Sequence, residues 1–334
     1  MSPRTIHLLL LGLWLMTPLV AAFVYRGPLP SGIEPEFQLL LVVLHCLWIT
    51  LLLHPYQYLD NFWDEYVDDV ERLMDTPIFS PTPTKDMSTV PLVICGCCRD
   101  VATHLPRVLE SMHRIGRQFR DYRIIVFEND SRDDTRRILE AERQRFTAII
   151  QLLLEDGLPS PKRTERLAYI RNKLLDAARS ADPGHQGLLL MMDMDDVAGE
   201  GTLAETIHTC FRYPFESWDT LATNRRLVYY DIWALRIARH LEFDFIEMCE
   251  RDRSMEGQRK YFLQFRRQIR KSDRLLPVLS AFGGAALYKM SALSGKHYIG
   301  LNAEGREICE HLSLHAQMIA DGRKIFINTR MVMA

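Results

Sequence analysis

Two long apolar segments stand at the start of the chain. Residues 7–24 (HLLLLGLWLMTPLVAAFV) and 37–53 contain no Asp, Glu, Lys or Arg, and each is near the lower limit of about 17 residues for a membrane-spanning helix. A cleaved signal peptide would explain only the first segment, and its basic flank is reduced to Arg4. The pattern therefore predicts that residues 1–55 form a membrane anchor of one or two transmembrane helices. Two buried core helices are the alternative.

Beyond residue 55 the pattern changes to short segments of alternating type. Residues 56–88 predict an acidic, aromatic connecting helix followed by a proline-rich linker (PIFSPTPT). Apolar or β-branched runs then predict strands at 90–97, 122–128, 148–154 and 187–192, and helical patterns lie between them at 104–119, 135–145 and 163–179. The alternation predicts an α/β domain over residues 89–334, with a largely parallel sheet and helices on both faces.

Composition and charge exclude some classes of protein. The 334 residues are 47% hydrophobic and carry a net charge of -2, so nothing points to a nucleic-acid partner. The seven cysteines form no repeated zinc-type pairs. Cys95, Cys97 and Cys98 lie in the first predicted strand, where alternation favours buried thiols; a metal or redox role is the alternative.

Polar clusters follow three of the predicted strands. They are residues 98–100, 128–131 and 193–196. Ligands of parallel sheets bind beyond the carboxyl ends of the strands, so we expect the three clusters to meet at one edge.

The acidic cluster at the end of the fourth strand is the strongest chemical signal. Asp193, Asp195 and Asp196 directly follow an apolar run that is typical of a strand buried on both faces. Three carboxylates so close together repel one another unless a cation neutralises them, and oxygen ligands of this kind suit Mg²⁺ or Mn²⁺. Such an ion would also bridge phosphate oxygens. A polar turn or a helix N-cap is the alternative.

Three arginines lie on the predicted helix at 163–179. Arg163 lies on the same face as its apolar stripe, and Arg166 and Arg171 flank that stripe. A guanidinium at a buried edge needs an anionic partner, which can be a carboxylate of the protein or a phosphate.

Six motifs in one order point to a family. They are ENDSRDDT at 128–135, RLAYIRN at 166–172, the acidic cluster, YYDIWALR at 229–236, FGGAALY at 282–288 and CEH at 309–311. Together they resemble GT-A-fold glycosyltransferases of chlorella viruses, giant viruses and some bacteria, and more loosely fungal capsule-associated mannosyltransferases. The resemblance covers about residues 90–330.

The resemblance implies a Rossmann-like nucleotide-binding sheet and a nucleotide-diphosphate-sugar donor. It implies that the base and ribose are bound by Cys97, Arg99, Glu128, Asn129 and Asp130. The diphosphate would lie near Arg163, Arg166 and Arg171, and the metal would be bound by Asp193 and Asp195. Asp196 is a further acid in the cluster, so which pair binds the metal stays open. His311 and His315 can be metal ligands, phosphate contacts or core residues, and His311 is included in the predicted metal set.

The later motifs are expected to face the acceptor. Gly283 and Gly284 would let the backbone approach a sugar, and an ordinary turn is the alternative. Tyr230, Asp231 and Trp233 offer a carboxylate beside aromatic faces, with packing as the alternative for Trp233.

A carboxylate at the start of the last predicted helix is expected to remove the acceptor proton. The resemblance implies this general-base role for Glu310, and Asp231 is the second predicted catalytic residue. A favourable contact with the helix dipole is the alternative for Glu310. A base at this position implies a single displacement with inversion.

The sequence thus predicts a membrane-bound, metal-dependent hexosyltransferase acting on a hydroxyl of a glycan or glycoconjugate. Its location would be the Golgi membrane in a eukaryote or the cytoplasmic membrane in a bacterium. Alternatives are a metal-dependent nucleotidyltransferase or phosphohydrolase, and a noncatalytic glycan-binding membrane protein. The charged stretch 251–274 predicts a solvated helix, with an acceptor lid or a contact with anionic lipid as alternatives.

Overall fold

The computed structural model describes residues 62–158, 160–195 and 201–333, except for the side chain of Met255. These residues fall within one compact unit. The predicted membrane anchor at residues 1–55 lies outside them, as does Asp196. Within the described ranges, none of the helices has the length and apolar character needed to cross a bilayer.

One sheet of eight strands runs through the unit. Its strands, in chain order, are β1 Leu92–Cys98, β2 Tyr122–Glu128, β3 Ile150–Leu154, β4 Leu188–Met192, β5 Thr220–Arg225, β6 Leu276–Pro277, β7 Ala285–Lys289 and β8 Ile325–Met333. They are arranged in the order β3-β2-β1-β4-β7-β5-β8-β6.

The sheet is mixed. Strands β3, β2, β1 and β4 are parallel, as the alternating pattern predicts. Strand β7 is antiparallel to both of its neighbours, β4 and β5, and β6 is antiparallel to β8. Strand β5 pairs with β8 in parallel and runs in the same direction as β4. The prediction of a largely parallel sheet therefore holds except at β7 and β6, because an apolar run does not reveal the direction of a buried strand. Since two antiparallel pairings join β4 to β5 through β7, those two strands end at the same edge.

Helices cover both faces of the sheet. They are α1 Phe62–Leu73, α2 Leu105–Gly116, α3 Thr135–Arg145, α4 Arg163–Ala181, α5 Thr202–Thr206, α6 Phe245–Arg251, α7 Met255–Gln258 and α8 Glu310–Ala320. Short 3₁₀ segments lie at Met87–Thr89, Ile207–Arg212, Phe215–Ser217 and Met290–Leu293, and a π-helical turn at Arg259–Leu263.

Two hydrophobic cores lie on the two sides of the sheet. Successive residues of β1 alternate between them, with Val93 and Cys95 in one core and Leu92 and Ile94 in the other. Helices α1, α4 and α8 contribute to the first core, and α2, α3 and α5 contribute to the second. Burial on both faces explains why the central strands read as continuous apolar runs.

Helix α1 lies in the stretch predicted as a connecting helix, and it is packed into the unit. Trp63 is fully buried and its indole Nε1 donates a hydrogen bond to the carbonyl of Phe265 at 2.7 Å. On its acidic side, α1 presents Asp68 and Glu71 to Arg270. The helix therefore has both apolar and ionic contacts with the rest of the unit.

The charged stretch at 251–274 does not form the single solvated helix that the sequence predicts. Helix α6 ends at Arg251, and Asp252 Oδ1 accepts hydrogen bonds from the backbone and hydroxyl of Ser254, which starts a new turn. A Cβ at Gly257 would lie 2.4 Å from the carbonyl oxygen of Asp252, so this glycine allows the tight fold-back. Local side-chain capping interrupts the helix.

Candidate active site

The loops after β1 and β2 are joined by hydrogen bonds. The backbone N–H of Asp100 donates to the hydroxyl of Ser131 at 3.0 Å, and the N–H of Arg132 donates to Asp100 Oδ1 at 2.7 Å. Asp100 and Asp130 both have a φ of 53°, a conformation that aspartate tolerates better than most residues. The first two polar clusters of the sequence thus meet at one edge of the sheet.

The predicted nucleotide residues after β2 shape their own loop. Glu128 is fully buried, and its carboxylate accepts hydrogen bonds from Ser131 N at 2.9 Å and Arg136 Nε at 2.6 Å. Asn129 Nδ2 donates to Asp130, and the same carboxylate accepts from Gly157 N; these bonds lower the pKa of Asp130. Glu128 is therefore a support of the loop, and its role toward a nucleotide stays a prediction.

The end of β1 lies beside the acidic cluster. Burial raises the pKa of the Cys97 thiol, and the charges of Arg171, Asp193 and Glu310 also act on it. The side chain of Arg99 is exposed, and its Nε lies 3.5 Å from Asp100 Oδ2. Cys97, one of the residues predicted to bind the nucleotide, thus lies near Asp193 at the end of β4.

Asp193 and Asp195 follow β4 on either side of the buried Met194. The N–H of Asp193 donates to the carbonyl of Gly284 at 2.8 Å, which fixes its backbone to the start of β7. Burial, together with the negative charges of Asp195 and other nearby carboxylates, raises the pKa of Asp193 to about 7, against the opposing effect of Arg171. This edge is therefore crowded with negative charge.

Arg171 connects the acidic cluster to helix α8. Its Nη2 lies 3.4 Å from Asp193 Oδ1 and its Nε lies 3.0 Å from Glu310 Oε1. The guanidinium also lies over the ring of Phe282, 4.9 Å from the centroid. The sequence left open whether Arg171 pairs with a carboxylate or a phosphate. In the structure its partners are the carboxylates of Asp193 and Glu310.

The other two predicted diphosphate arginines are not part of this arrangement. Arg166 Nη1 donates to the backbone carbonyls of Ser160 and Pro161. Arg163 is exposed on the first turn of α4, and its charge lowers the pKa of Cys97 slightly against the effect of burial. Arg163 is therefore the more accessible of the two for an anionic ligand.

Helix α8 begins with buried ionisable groups. Glu310 is the first residue of the helix and only 4% of its side chain is exposed. His311 stacks on Phe282 with ring centroids 3.9 Å apart, and neither ring nitrogen has a hydrogen-bond partner in the structure. Burial, reinforced by Arg171, holds the pKa of His311 well below its usual value. His311 is therefore a neutral, stacked residue here.

His315, one turn further along, is a core histidine. Its Nδ1 lies 2.8 Å from the hydroxyl of Ser280 and its Nε2 lies 3.0 Å from the hydroxyl of Tyr288. Burial lowers the pKa of His315 to about 3. The sequence left open whether His315 is a metal ligand, a phosphate contact or a core residue, and the structure favours a core residue.

Among the described residues, Asp193 and Asp195 are the predicted ligands that lie together. No group of three or more His, Cys, Asp or Glu side chains suited to a metal ion occurs in the described part of the chain. The predicted ligand His311 is thus not gathered with Asp193 and Asp195, and its ring is stacked on Phe282. A pair of aspartates still fits Mg²⁺ or Mn²⁺, which commonly bind through one or two carboxylates with water and substrate phosphates.

The glycine pair joins the acceptor-side residues to the acidic cluster. Gly283 and Gly284 have φ values of 68° and 97°, and a Cβ on Gly283 would lie 2.3 Å from the carbonyl oxygen of Thr223. Asp231 Oδ2 accepts a hydrogen bond from Gly283 N at 3.0 Å. A Cβ on Gly284 would lie 3.2 Å from the hydroxyl of Tyr230. Asp231, Tyr230 and Asp193 thus surround one short backbone segment.

Asp231 and Trp233 differ in their surroundings. Burial raises the pKa of Asp231, and the charge of Glu310 adds to the effect, while hydrogen bonds from Gly283 and Ala234 oppose it. Trp233 is partly buried and packs against the hydrophobic core. Packing, the alternative that the sequence allowed, accounts for Trp233.

One charged residue at this edge is absent from the sequence prediction. Arg225 is the last residue of β5, and its guanidinium lies 4.8 Å from the ring centroid of Tyr230. The strand reads TLATNR, which is too polar for the pattern of a buried strand. The only feature of the sequence that points to Arg225 is the polar run that starts at Asn224.

Comparisons with known proteins show similarity in structure but not in sequence. No family model matches the chain, and no curated protein matches it. Similar solved structures include mannosyltransferase PcManGT from Pyrobaculum calidifontis, in complex with GDP-Man and Mn²⁺ (12% identity, TM-score 0.45, covering 80% of this chain and 62% of that chain). S. aureus TarS 1-349 in complex with UDP-GlcNAc is another (12% identity, TM-score 0.35, covering 71% and 56%).

A third similar structure is a mycobacterial protein, with 11% identity and a TM-score of 0.37, covering 73% of this chain and 66% of that chain. The chain spans less than two thirds of the length of the mannosyltransferase and of TarS 1-349. The neighbours thus include proteins solved with nucleotide sugars. The mixed α/β sheet with helices on both faces agrees with the predicted fold class, and its assignment as GT-A-like stays a prediction. The resemblance to viral, bacterial and fungal enzymes stays a prediction.

Proposed function

We propose that this chain is a metal-dependent glycosyltransferase that moves a sugar from a nucleotide-diphosphate-sugar donor to a hydroxyl of a glycan or glycoconjugate. The observation that carries the proposal is the position of Asp193. It lies at the carboxyl end of a buried strand, is connected to Glu310 through Arg171, and is connected to Asp231 through the glycine pair. Groups suited to a diphosphate and to an acceptor hydroxyl are therefore adjacent.

The donor would lie along the edge formed by the ends of β1, β2 and β4. The hydrogen-bonded loops at Asp100 and Ser131 supply a rigid wall for the nucleotide. Arg99 and Arg163 are exposed near this edge and can contact phosphate or ribose. Preorganised loops of this kind reduce the entropy that is lost on binding.

Asp193 and Asp195 would hold the metal ion. Burial, and after it the like charges nearby, raise the pKa of Asp193, and a divalent cation would relieve the repulsion between those charges. When bound, Mn²⁺ or Mg²⁺ supplies positive charge beside the diphosphate as the bond to the sugar breaks. Asp196 is the third predicted ligand and lies outside the described residues.

Two carboxylates are candidates for the proton acceptor, and their surroundings differ. Glu310, which the family resemblance favours, is almost fully buried and paired with Arg171. Asp231 is only partly buried, is oriented by the N–H of Gly283, and has a raised pKa that makes it a stronger base than an ordinary aspartate. Geometry therefore favours Asp231 as the base and Glu310 as the residue that orients Arg171. A single displacement with inversion follows from either choice.

A membrane anchor completes the proposal. The apolar segments at 7–24 and 37–53 support it, with the Golgi or the cytoplasmic membrane as the location. A membrane-held enzyme of this kind would act on an acceptor that is itself at or near the membrane.

A donor screen on the full chain in detergent tests the proposed function. GDP-mannose, UDP-N-acetylglucosamine and other nucleotide sugars are incubated with Mn²⁺, and both sugar transfer and nucleoside diphosphate release are measured. We expect transfer that chelation with EDTA abolishes. Release of a nucleoside monophosphate, or turnover that needs no acceptor, would instead favour a nucleotidyltransferase or phosphohydrolase.

Variants at the metal site complete the test. Asp195→Asn should abolish both transfer and metal-dependent nucleotide binding, because one of two carboxylate ligands is lost. Asp121→Asn is the matched control, since Asp121 precedes β2 at the opposite edge of the sheet. Unchanged metal dependence in Asp195→Asn would refute the metal assignment. Absence of both transfer and nucleotide binding in the wild type would refute the proposed function and favour a noncatalytic glycan-binding protein. Metal-dependent binding of a nucleoside diphosphate would exclude that alternative.

A further inference from the structure

Arg225 occupies a distinctive place at the edge of the sheet. It ends β5, which is parallel to β4 and separated from it only by β7. The pairing of β5 with β8 shifts register between Thr223 and Asn224, directly before Arg225. Irregularities of this kind redirect a side chain at the end of a strand. Arg225 therefore lies on the same edge as Asp193, beyond the glycine pair.

The guanidinium of Arg225 is held by stacking. It lies over the ring of Tyr230, 4.8 Å from the centroid. Its Nη1 is buried and, among the described residues, has no hydrogen-bond partner. A buried donor without a partner costs free energy, and a charged donor costs more. A guanidinium that lies over an aromatic ring and has an unused N–H donor is suited to a ligand that can accept hydrogen bonds.

Tyr230 places this guanidinium close to the acidic cluster. The Tyr230 hydroxyl lies beside Gly284, whose carbonyl accepts the N–H of Asp193. The charges of Asp193, Asp231 and Asp195 add to burial in raising the pKa of Tyr230, and that of Arg225 opposes them. Arg225 is thus separated from the predicted metal site by about one aromatic ring.

Comparison with Arg171 shows what is different about Arg225. Arg171 is neutralised by Asp193 and Glu310, so its charge is already used within the protein. Arg225 has no such carboxylate within the described ranges, and its charge remains available. The planar fork of a guanidinium matches phosphate and carboxylate groups, which accept two parallel hydrogen bonds.

We propose that Arg225 binds an oxyanion of a substrate, either a phosphate or a carboxylate, on the far side of the glycine pair from Asp193. The inference rests on the proposed function for the identity of that substrate. Two sources supply this chemistry: the diphosphate of the donor and an acidic group on the acceptor. Tyr230 lies against one face of the guanidinium, so the oxyanion would accept hydrogen bonds from the N–H groups of Arg225.

Calorimetric titration of the full chain in detergent with Mn²⁺ distinguishes the sources. Inorganic pyrophosphate probes the donor side. Glucuronate and glycerol 3-phosphate, titrated in the presence of saturating nucleoside diphosphate, probe the acceptor side. Arg225→Gln should weaken one of the two kinds of probe by about tenfold or more, because two charge-assisted hydrogen bonds are lost. Loss of pyrophosphate binding identifies the donor, and loss of the other probes identifies an acidic acceptor.

Arg226→Gln is the matched control. Arg226 is the next residue and is exposed, and its backbone carbonyl accepts a hydrogen bond from Gln268. Arg225→Lys keeps the charge but loses the fork, so its affinity should fall between those of the wild type and Arg225→Gln; this variant also serves if Arg225→Gln does not fold. Equal binding of both kinds of probe by the wild type, Arg225→Gln, Arg225→Lys and Arg226→Gln would overturn the proposal. Because pyrophosphate binding needs no sugar transfer, the result does not depend on the transfer assay.

Discussion

Arg171 shows how much one buried charge controls at this site. Its guanidinium neutralises Glu310 at 3.0 Å and reaches Asp193 at 3.4 Å, and almost no water reaches it. A buried ion pair contributes little net stability compared with apolar packing, but removal of one partner leaves the other charge buried and unpaired. The position and the net charge of the acidic cluster therefore depend on Arg171.

Replacement of Arg171 should destabilise the protein strongly. We expect Arg171→Met to lower the free energy of unfolding by about 3 kcal/mol or more, because Glu310 loses its counter-ion. Arg166→Met is the control, since Arg166 donates only to backbone carbonyls near the surface. Thermal unfolding followed by tryptophan fluorescence measures both. Equal melting temperatures for the two variants would show that the ion pair is not important for stability.

The proton acceptor can be identified by two isosteric variants. Asp231→Asn keeps an oxygen for the N–H of Gly283 but cannot take a proton, so kcat should fall by about 10²- to 10⁴-fold while nucleotide binding persists. The wild-type rate should be lost as pH falls through the pKa of Asp231, which burial raises above the usual value. This limb of the pH profile should be absent in Asp231→Asn. A larger loss of kcat in Glu310→Gln, with activity retained in Asp231→Asn, would make Glu310 the base.

At the scale of elements, the sequence predicts the first half of the sheet better than the second. Strands β1, β2 and β4 are mostly apolar and buried on both faces, so their patterns are clear, and β3 is an apolar run with one buried residue. Strand β5 carries Thr223, Asn224 and Arg225, and β6 has only two residues, so neither has a clear pattern. The direction of β7 depends on pairing with distant strands, which a local pattern does not contain.

The same limit applies to the candidate site. The position of Asp193 follows from a local pattern, namely an apolar strand that ends in carboxylates. The roles of Glu128, His311 and Trp233 depend on burial and on partners from other elements, and the sequence does not provide them. Arg225 was missed for the same reason, because its importance depends on Tyr230 and on the parallel alignment of β5 with β4.

The glycine pair before β7 offers a controlled test of backbone geometry. Gly283 and Gly295 both have a φ of 68°, but a Cβ would clash with Thr223 only at Gly283. Gly295→Ala should cost about 1–2 kcal/mol from the left-handed conformation alone. Gly283→Ala should cost more and should also reduce activity, since Asp231 is oriented by Gly283 N. Equal losses of stability in denaturant unfolding would show that the close approach to Thr223 is unimportant.

Helix α8 should make the protein sensitive to acid. Burial lowers the pKa of His315 to about 3, so the folded state keeps it neutral, whereas an unfolded chain takes up a proton near pH 6.5. Its contribution to stability is therefore present above about pH 6.5 and is lost as pH falls toward 3. His315→Gln should flatten the decline of melting temperature below about pH 6.5. His297→Gln, at an exposed histidine, should leave the wild-type decline unchanged; a parallel decline in all three proteins would contradict the assignment.

At the scale of the whole molecule, helix α1 belongs to the packed unit. Trp63 is fully buried and bonded to Phe265, while Leu73 at the other end of the helix is 77% exposed. Trp63→Ala should lower the free energy of unfolding by about 3–5 kcal/mol, as expected for a large core side chain. Leu73→Ala should have little effect. Similar unfolding curves for the two variants would show that α1 is dispensable for the unit.

The antiparallel insertion of β7 has a consequence for biosynthesis. Asp193 is bonded to Gly284, and Arg171 is paired with Glu310, although these partners are far apart along the chain. A ribosome therefore releases β1 to β4 well before the segments that complete the site. Until β7 and α8 follow, a nascent chain presents the acidic residues and Arg171 without their partners. The capacity to bind a ligand at this edge should therefore arise only after β7 and the start of α8 have been translated.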